Sequence, residues 1–338
     1  MKPIHLSKCL GIVILAGALS LSNPVEAVTL KVSHVRPQGT IIDVQLKEFA
    51  AGVEQATDGD VKIKVFSANA LGDYTIVQER ISLGAVDMAV QPAATAVSRK
   101  MQINAFPYLA QTWEQAREIY GSGGAINEVM KELYAEQDIT MLAVYPVYFG
   151  GVALNREAVS PGDINIKKGI KVRVPAIKSF QLTGDALGYI SSPLPFSDTF
   201  TAVQTGVVDG VIGLGAEGYY TSFRDVTKTY VAANTHFEVW YVIISSESLA
   251  RLSADNRAAL GQAAADFEAR RWTTAESDQS LYEKKLEEHG TAIVRLSDQQ
   301  LAEISKKIRA EVWPQILADI DAEWATGILE EFLADSEQ

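Results

Sequence analysis

The sequence predicts an α/β protein with largely parallel sheets, arranged as one large domain or two smaller lobes. Three observations carry that reading. Short apolar or alternating runs recur between stretches of helical spacing, the pattern of strands joined by helices. The chain has 338 residues, 47% of them apolar, which is ample for a packed core. From Ser253 to about His289 the pattern stays helical for more than 30 residues. That exceeds an ordinary globular helix and suits one that braces two lobes.

Taken in order, Val28 to Ser33 alternates as a strand, and Ile41 to Thr57 carries Ile42, Leu46, Phe49, Ala50 and Val53 at helical spacing. Val61 to Val65 alternates strictly, a strand with one wet face. Ile76 to Gly84 reads as a helix closed by glycine, and Val86 to Val90 as a buried strand. Trp113 to Gln137 is predicted helical and Thr140 to Val144 extended. In the middle, Lys171 to Val174 is a strand, with helices at Phe180 to Leu187 and Ser197 to Thr205. Val207 to Ile212 and Phe237 to Ser245 are further strands. Ser253 is the N-cap candidate of the long helix. Ser297 to Trp324 follows, with a kink expected at Pro314.

The first 27 residues read as an address. Lys2 and Lys8 precede the apolar stretch Leu10 to Leu21, and Val25-Glu26-Ala27 puts small residues where a signal peptidase cuts. A membrane span needs about 20 apolar residues, and this core is shorter. Cleavage leaves about 311 residues, without Cys9, the single cysteine. The exported chain then has no disulfide, zinc–cysteine site or cysteine nucleophile. The net charge of −12 becomes −13 without Lys2, Lys8 and Glu26. That field disfavours nucleic acid and anionic lipid, so an anionic ligand needs a local cationic feature.

Signals for catalysis are poor. His34, His236 and His289 are far apart and in no metal-ligand spacing. No nucleophile elbow, phosphate loop or paired carboxylates appear, and Gly121-Ser122-Gly123-Gly124 reads as a turn. Gly213-Leu214-Gly215-Ala216-Glu217-Gly218 is formally a dinucleotide fingerprint, with Glu238 twenty residues past the last glycine. An exported protein rarely meets free NAD, the match lies late in the chain, and the helix after it is short and tyrosine-rich. No cofactor is expected.

The most informative stretch is Lys167 to Pro175. Val172 and Val174 point to one face of a strand, Lys171 and Arg173 to the other. Pro175 cannot extend an interior ladder, so Arg173 sits where the strand ends. In open α/β sheets that end faces the ligand crevice. A guanidinium there matches a carboxylate with two parallel hydrogen bonds. From this stretch alone, a solvated surface arginine fits equally well.

Residues spread along the chain carry a resemblance. They are Gly59 to Phe66, Leu71-Gly72, Gly84 to Ala89, Phe106-Pro107-Tyr108-Leu109, Gly169 to Pro175 and Ala202 to Gly210. In this order and spacing the chain resembles the DctP-type solute-binding proteins of tripartite ATP-independent periplasmic (TRAP) transporters. The resemblance implies a two-lobed periplasmic binding protein fold with a hinge, a long bracing helix and a central ligand cleft. Its expected lobes are 28–150 with about 239–278, and 151–238 with about 279–330. It implies that Arg173 binds carboxylate, that Phe196 is an aromatic contact, and that Gln91 and Pro92 form the contact loop of the first lobe. It also implies a Gram-negative periplasm and delivery to small and large membrane subunits.

Two departures bear on the ligand. Where many members carry a second arginine this chain has Gly150, and the usual asparagine contact falls on Gly213. Both are expected to add space beside Tyr148, Phe149, Tyr219 and Tyr220, with Glu217 close by, unless those tyrosines are core. An aromatic or branched 2-oxo or other monocarboxylic acid then fits better than sialic acid or a small dicarboxylate. Competing readings are a ligand module for a chemoreceptor and a periplasmic dinucleotide-dependent oxidoreductase.

Overall fold

The computed structural model describes residues 27–334; the expected signal peptide, apart from Ala27, lies outside them. The chain enters with β1 (Val28–Ser33), β2 (Val61–Phe66), β3 (Met88–Gln91) and β4 (Ile139–Phe149). It continues through β5 (Gly151–Leu154), β6 (Lys171–Val174), β7 (Ile190–Pro193), β8 (Gly210–Leu214) and β9 (Thr229–Ala232). It closes with β10 (Phe237–Ser245) and β11 (Ala292–Arg295).

These strands form two sheets, ordered β2-β1-β3-β10-β4 and β11-β9-β5-β8-β6-β7. Each is the centre of one lobe. The sheets are mixed rather than largely parallel. β1 runs parallel to β2 and β3, but β10 joins β3 and β4 antiparallel. In the second sheet, β5 runs antiparallel to β8 and β9 while β6 is parallel to both its neighbours. The reason lies in two of the chain's three crossings between lobes, from β4 to β5 and from β9 to β10; the third runs along a long helix to β11. Each arriving strand, β5 or β10, enters its new sheet against the local direction.

The crossings are tied together. Gly150 donates its amide to the His236 carbonyl at 2.8 Å, and Thr235 returns one to the Gly150 carbonyl at 2.9 Å. Gly150 permits this approach because any Cβ there would run into the His236 ring.

The bracing helix is Ala254–Glu288, capped by the Ser253 hydroxyl, which accepts from the Asn256 amide at 3.1 Å. Its buried residues Leu260, Ala264, Phe267, Arg271, Ala275, Tyr282 and Leu286 follow a helical period. The first half lies on the first lobe, where Phe267 meets Phe49 and Glu268 accepts the Val144 amide. The second half reaches the other lobe, where Tyr282 meets Tyr220.

Other elements depart from expectation. The predicted helix from Trp113 to Gln137 is two helices, Trp113–Tyr120 and Ala125–Ala135, parted at the glycines. The helix Asp298–Ile320 runs through Pro314 and stops at Asp321, whose φ of +89° ends the helical course. The sequence expectation puts this helix with the second lobe, yet it packs on both. It faces the second-lobe helix Lys178–Ala186, while Trp313 donates its indole N–H to the first-lobe Pro107 carbonyl at 2.9 Å. No helix among the described residues is long and apolar enough to cross a membrane.

Candidate functional site

A cavity lies between the two sheets, a place where small-molecule sites are found. The first lobe contributes Val35 and Arg36 beyond the end of β1, Tyr74, Pro92 and Ala93 beyond β3, and Asn104. The second contributes Arg173 and Pro175 at the end of β6, Phe180, Phe196, and Gly213 and Leu214 at the end of β8. His236 to Trp240 come from the return crossing. The carboxyl ends of parallel strands from both lobes therefore open on one space, where open α/β sheets hold ligands.

Arg173 reaches this space as the strand alternation requires: Val172 and Val174 are fully buried, Lys171 is exposed, and Arg173 is 2% exposed. Its Nε donates to the Leu194 carbonyl at 2.9 Å and its guanidinium carbon stands 6.0 Å from the Phe196 ring centre. Among the described residues no carboxylate forms an ion pair with it. Burial pulls its pKa below the ordinary arginine value, and the fields of Tyr74, Tyr219, Asp73 and Glu238 offset only part of that.

Arg36 lines the same cavity with the opposite electrostatics. Its Nε donates to Glu217 Oε2 at 2.9 Å and its Nη2 to Glu238 Oε1 at 3.2 Å. The guanidinium lies 4.7 Å from the Trp240 ring centre. Burial works to lower its pKa, but the two glutamates outweigh it and the pKa rises. Its charge is spent inside the protein. Arg36 was not read as a site residue; its place just past the first strand's carboxyl end was the available signal.

Four of the predicted site residues, Arg173, Phe196, Pro92 and Gly213, line this cavity. Five do not. Gln91 is buried, and its amide donates to the Tyr74 carbonyl at 2.7 Å. Tyr148 faces Arg271 and Tyr282 of the bracing helix, and Phe149 packs edge-on against Trp113 and Phe237. They point to opposite faces of β4, each covered by its own core cluster, so both are core. Glu217 is held by Arg36, and Tyr220 lies outside the cavity, its ring tilted against Tyr282 and near Lys285. The space expected at Gly150 and Gly213 is also taken. The His236 ring fills the first, and a Cβ at Gly213 would stand 2.8 Å from Pro175.

The glycine run that formally matches a dinucleotide site has another use. Gly215 caps the helix Ala216–Phe223, and its amide donates to Glu238 Oε2 at 3.2 Å. The carboxylate of Glu238, itself bonded to Arg36 and the Trp240 indole, occupies the place a pyrophosphate would need. No three His, Cys, Asp or Glu among the described residues are grouped to hold a metal.

Comparison with known proteins agrees with this architecture. The family model described as DctP, bacterial extracellular solute-binding protein family 7, matches residues 32–319. A solute-binding protein of Roseobacter denitrificans is 30% identical over 300 residues, covering 84% of this chain and 89% of that protein. The C4-dicarboxylate-binding periplasmic protein DctP of Rhodobacter capsulatus is 25% identical, covering 97% and 96%. Among solved structures, the sugar acid binding protein DctPAm from Advenella mimigardefordensis, in complex with galactonate, superimposes with a TM-score of 0.83. It is 22% identical, with 90% of this chain and 98% of that chain covered. Its fold is thus shared. This chain belongs to the DctP family of extracellular solute-binding proteins, a family of binding proteins and not of enzymes.

Proposed function

We propose that the protein captures a small organic monocarboxylate in the periplasm and delivers it to the small and large membrane subunits of a TRAP transporter. The observation that carries this is the Arg173 guanidinium. It is buried in a cavity, without a carboxylate partner, opposite apolar and aromatic walls. An uncompensated buried charge is costly, and a ligand carboxylate supplies the missing partner. A single such cation argues for one carboxylate. Phe180, Phe196, Phe237 and Trp240 argue for a compact apolar body, with aromatic or branched 2-oxo acids as the leading class. Residues 1–27 act in this reading as a cleaved export signal.

The lobes would close on the ligand about the paired crossings at Gly150 and Thr235–His236. Binding to the folded state alone stabilises it by about 2.7 kcal/mol at a hundredfold excess over the dissociation constant. A melting-temperature screen of carboxylates tests the reading: branched and aromatic monocarboxylates should give the largest upward shifts. Leading shifts from galactonate, the ligand of the Advenella protein, or from succinate would overturn the ligand class.

A further inference from the structure

His236 is the cavity residue that the carboxylate reading leaves unused. It sits on the return crossing, is 5% exposed, and lines the cavity. Its ring is held on several sides. Nδ1 lies 3.0 Å from the Thr235 hydroxyl, and the ring stands edge-on to Phe180 with centres 4.7 Å apart. Gly150 backs it so closely that no side chain fits there. Yet Nε2 is buried with no hydrogen-bond partner among the described residues.

Three other polar side chains of the cavity are engaged. Glu238 and Arg36 hold each other, and the Asn104 amide donates to the Met101 carbonyl. Tyr74 shares the field of Arg173 and belongs to the carboxylate end. Burial keeps the imidazole neutral, with its pKa pushed down to about 3. A neutral imidazole carries one N–H and one lone pair. In the tautomer whose Nδ1 accepts from the Thr235 hydroxyl, Nε2 bears the hydrogen and needs an acceptor; in the other it needs a donor. A buried donor left unmade is unfavourable, and a bound molecule offering oxygen relieves it.

We propose that His236 is a specificity-determining residue that donates from Nε2 to an oxo or hydroxyl oxygen on the ligand's body. The site then takes oxo- and hydroxy-monocarboxylates ahead of the same skeletons lacking that oxygen. This rests on Arg173 as the carboxylate anchor.

The test uses two series of matched acids: α-ketoisocaproate, α-hydroxyisocaproate and isocaproate, then phenylpyruvate, phenyllactate and hydrocinnamate. Each is titrated calorimetrically into wild type, His236→Phe, His236→Gln and Arg173→Ala. Wild type should favour the oxygen-bearing members by about tenfold or more, the size of one buried hydrogen bond. His236→Phe should bring the members of each series to within about threefold of one another, and His236→Gln should keep part of the preference. No preference in wild type, or equal weakening of all members by His236→Phe and His236→Gln, overturns the proposal. If no acid binds wild type, or Arg173→Ala binds as wild type does, the anchor itself is wrong and this assignment falls with it.

Discussion

Arg36 and Arg173 present their guanidinium groups to the same ring, Phe196, at 5.7 and 6.0 Å from its centre. One is bound to two glutamates and the other to none. The pair therefore divides the work of the cavity. Arg36 joins the lobes, linking the segment after β1 to Glu217 in the second lobe, while Arg173 has no carboxylate partner among the described residues, as the proposed ligand role requires.

Arg173→Ala should therefore weaken binding of a cognate monocarboxylate by about 30- to several-thousand-fold. Removing one partner of such a desolvated pair costs about 2–5 kcal/mol, at about 1.4 kcal/mol per factor of ten. Arg173→Lys should restore only part, since an ammonium lacks the planar fork. Calorimetric titration measures both. An affinity within about threefold of wild type would place the anion elsewhere.

Arg36→Ala should act on stability instead. It leaves Glu217 and Glu238 buried without their cation, a loss of about 3–5 kcal/mol by analogy with other broken buried pairs. Thermal melts without ligand compare it with Arg173→Ala, which removes an uncompensated buried charge and should leave the melting temperature level or raised. Equal losses in the two variants would refute the division of roles.

His236 should leave a signature in acid. Its folded pKa of about 3 lies below the usual 6.5, so the unfolded chain binds the extra proton between those values. The stability contributed by the neutral ring is complete above about pH 6.5 and falls as pH drops towards 3. His34 is shifted the same way, its burial outweighing the pull of Asp43, so wild type alone does not isolate the term. His236→Gln, which cannot titrate, should show a shallower stability loss than wild type across that window in denaturant melts. Parallel curves would mean the ring is not buried as described.

The expected export signal makes a prediction of its own. Intact mass of protein recovered from the periplasm should correspond to a chain beginning at Val28. A mass retaining residues 1–27 would contradict cleavage after Val25-Glu26-Ala27.

Much of this protein was legible from local pattern. Alternation placed β6, and the proline after it put Arg173 at a strand end, because side-chain direction along a strand has a period of two residues. Ser253 and the helical period after it located the bracing helix for the same kind of reason. The four-residue strands β5, β7, β9 and β11 lack the charged–apolar alternation that marks the equally short β6.

What the tertiary structure alone decided is which charges cancel. Arg36 meets Glu217 across 181 positions and Glu238 across 202, and the His236 ring fills the space beside Gly150 from a separate crossing. Gly213 to Gly218 match a nucleotide turn only formally, and the folded chain puts Glu238 on the Gly215 amide. Periodicity reports the face on which a side chain lies. Electrostatic compensation depends on the few ångströms between groups that only the folded chain brings together, so the free cation could be told from the spent one only there.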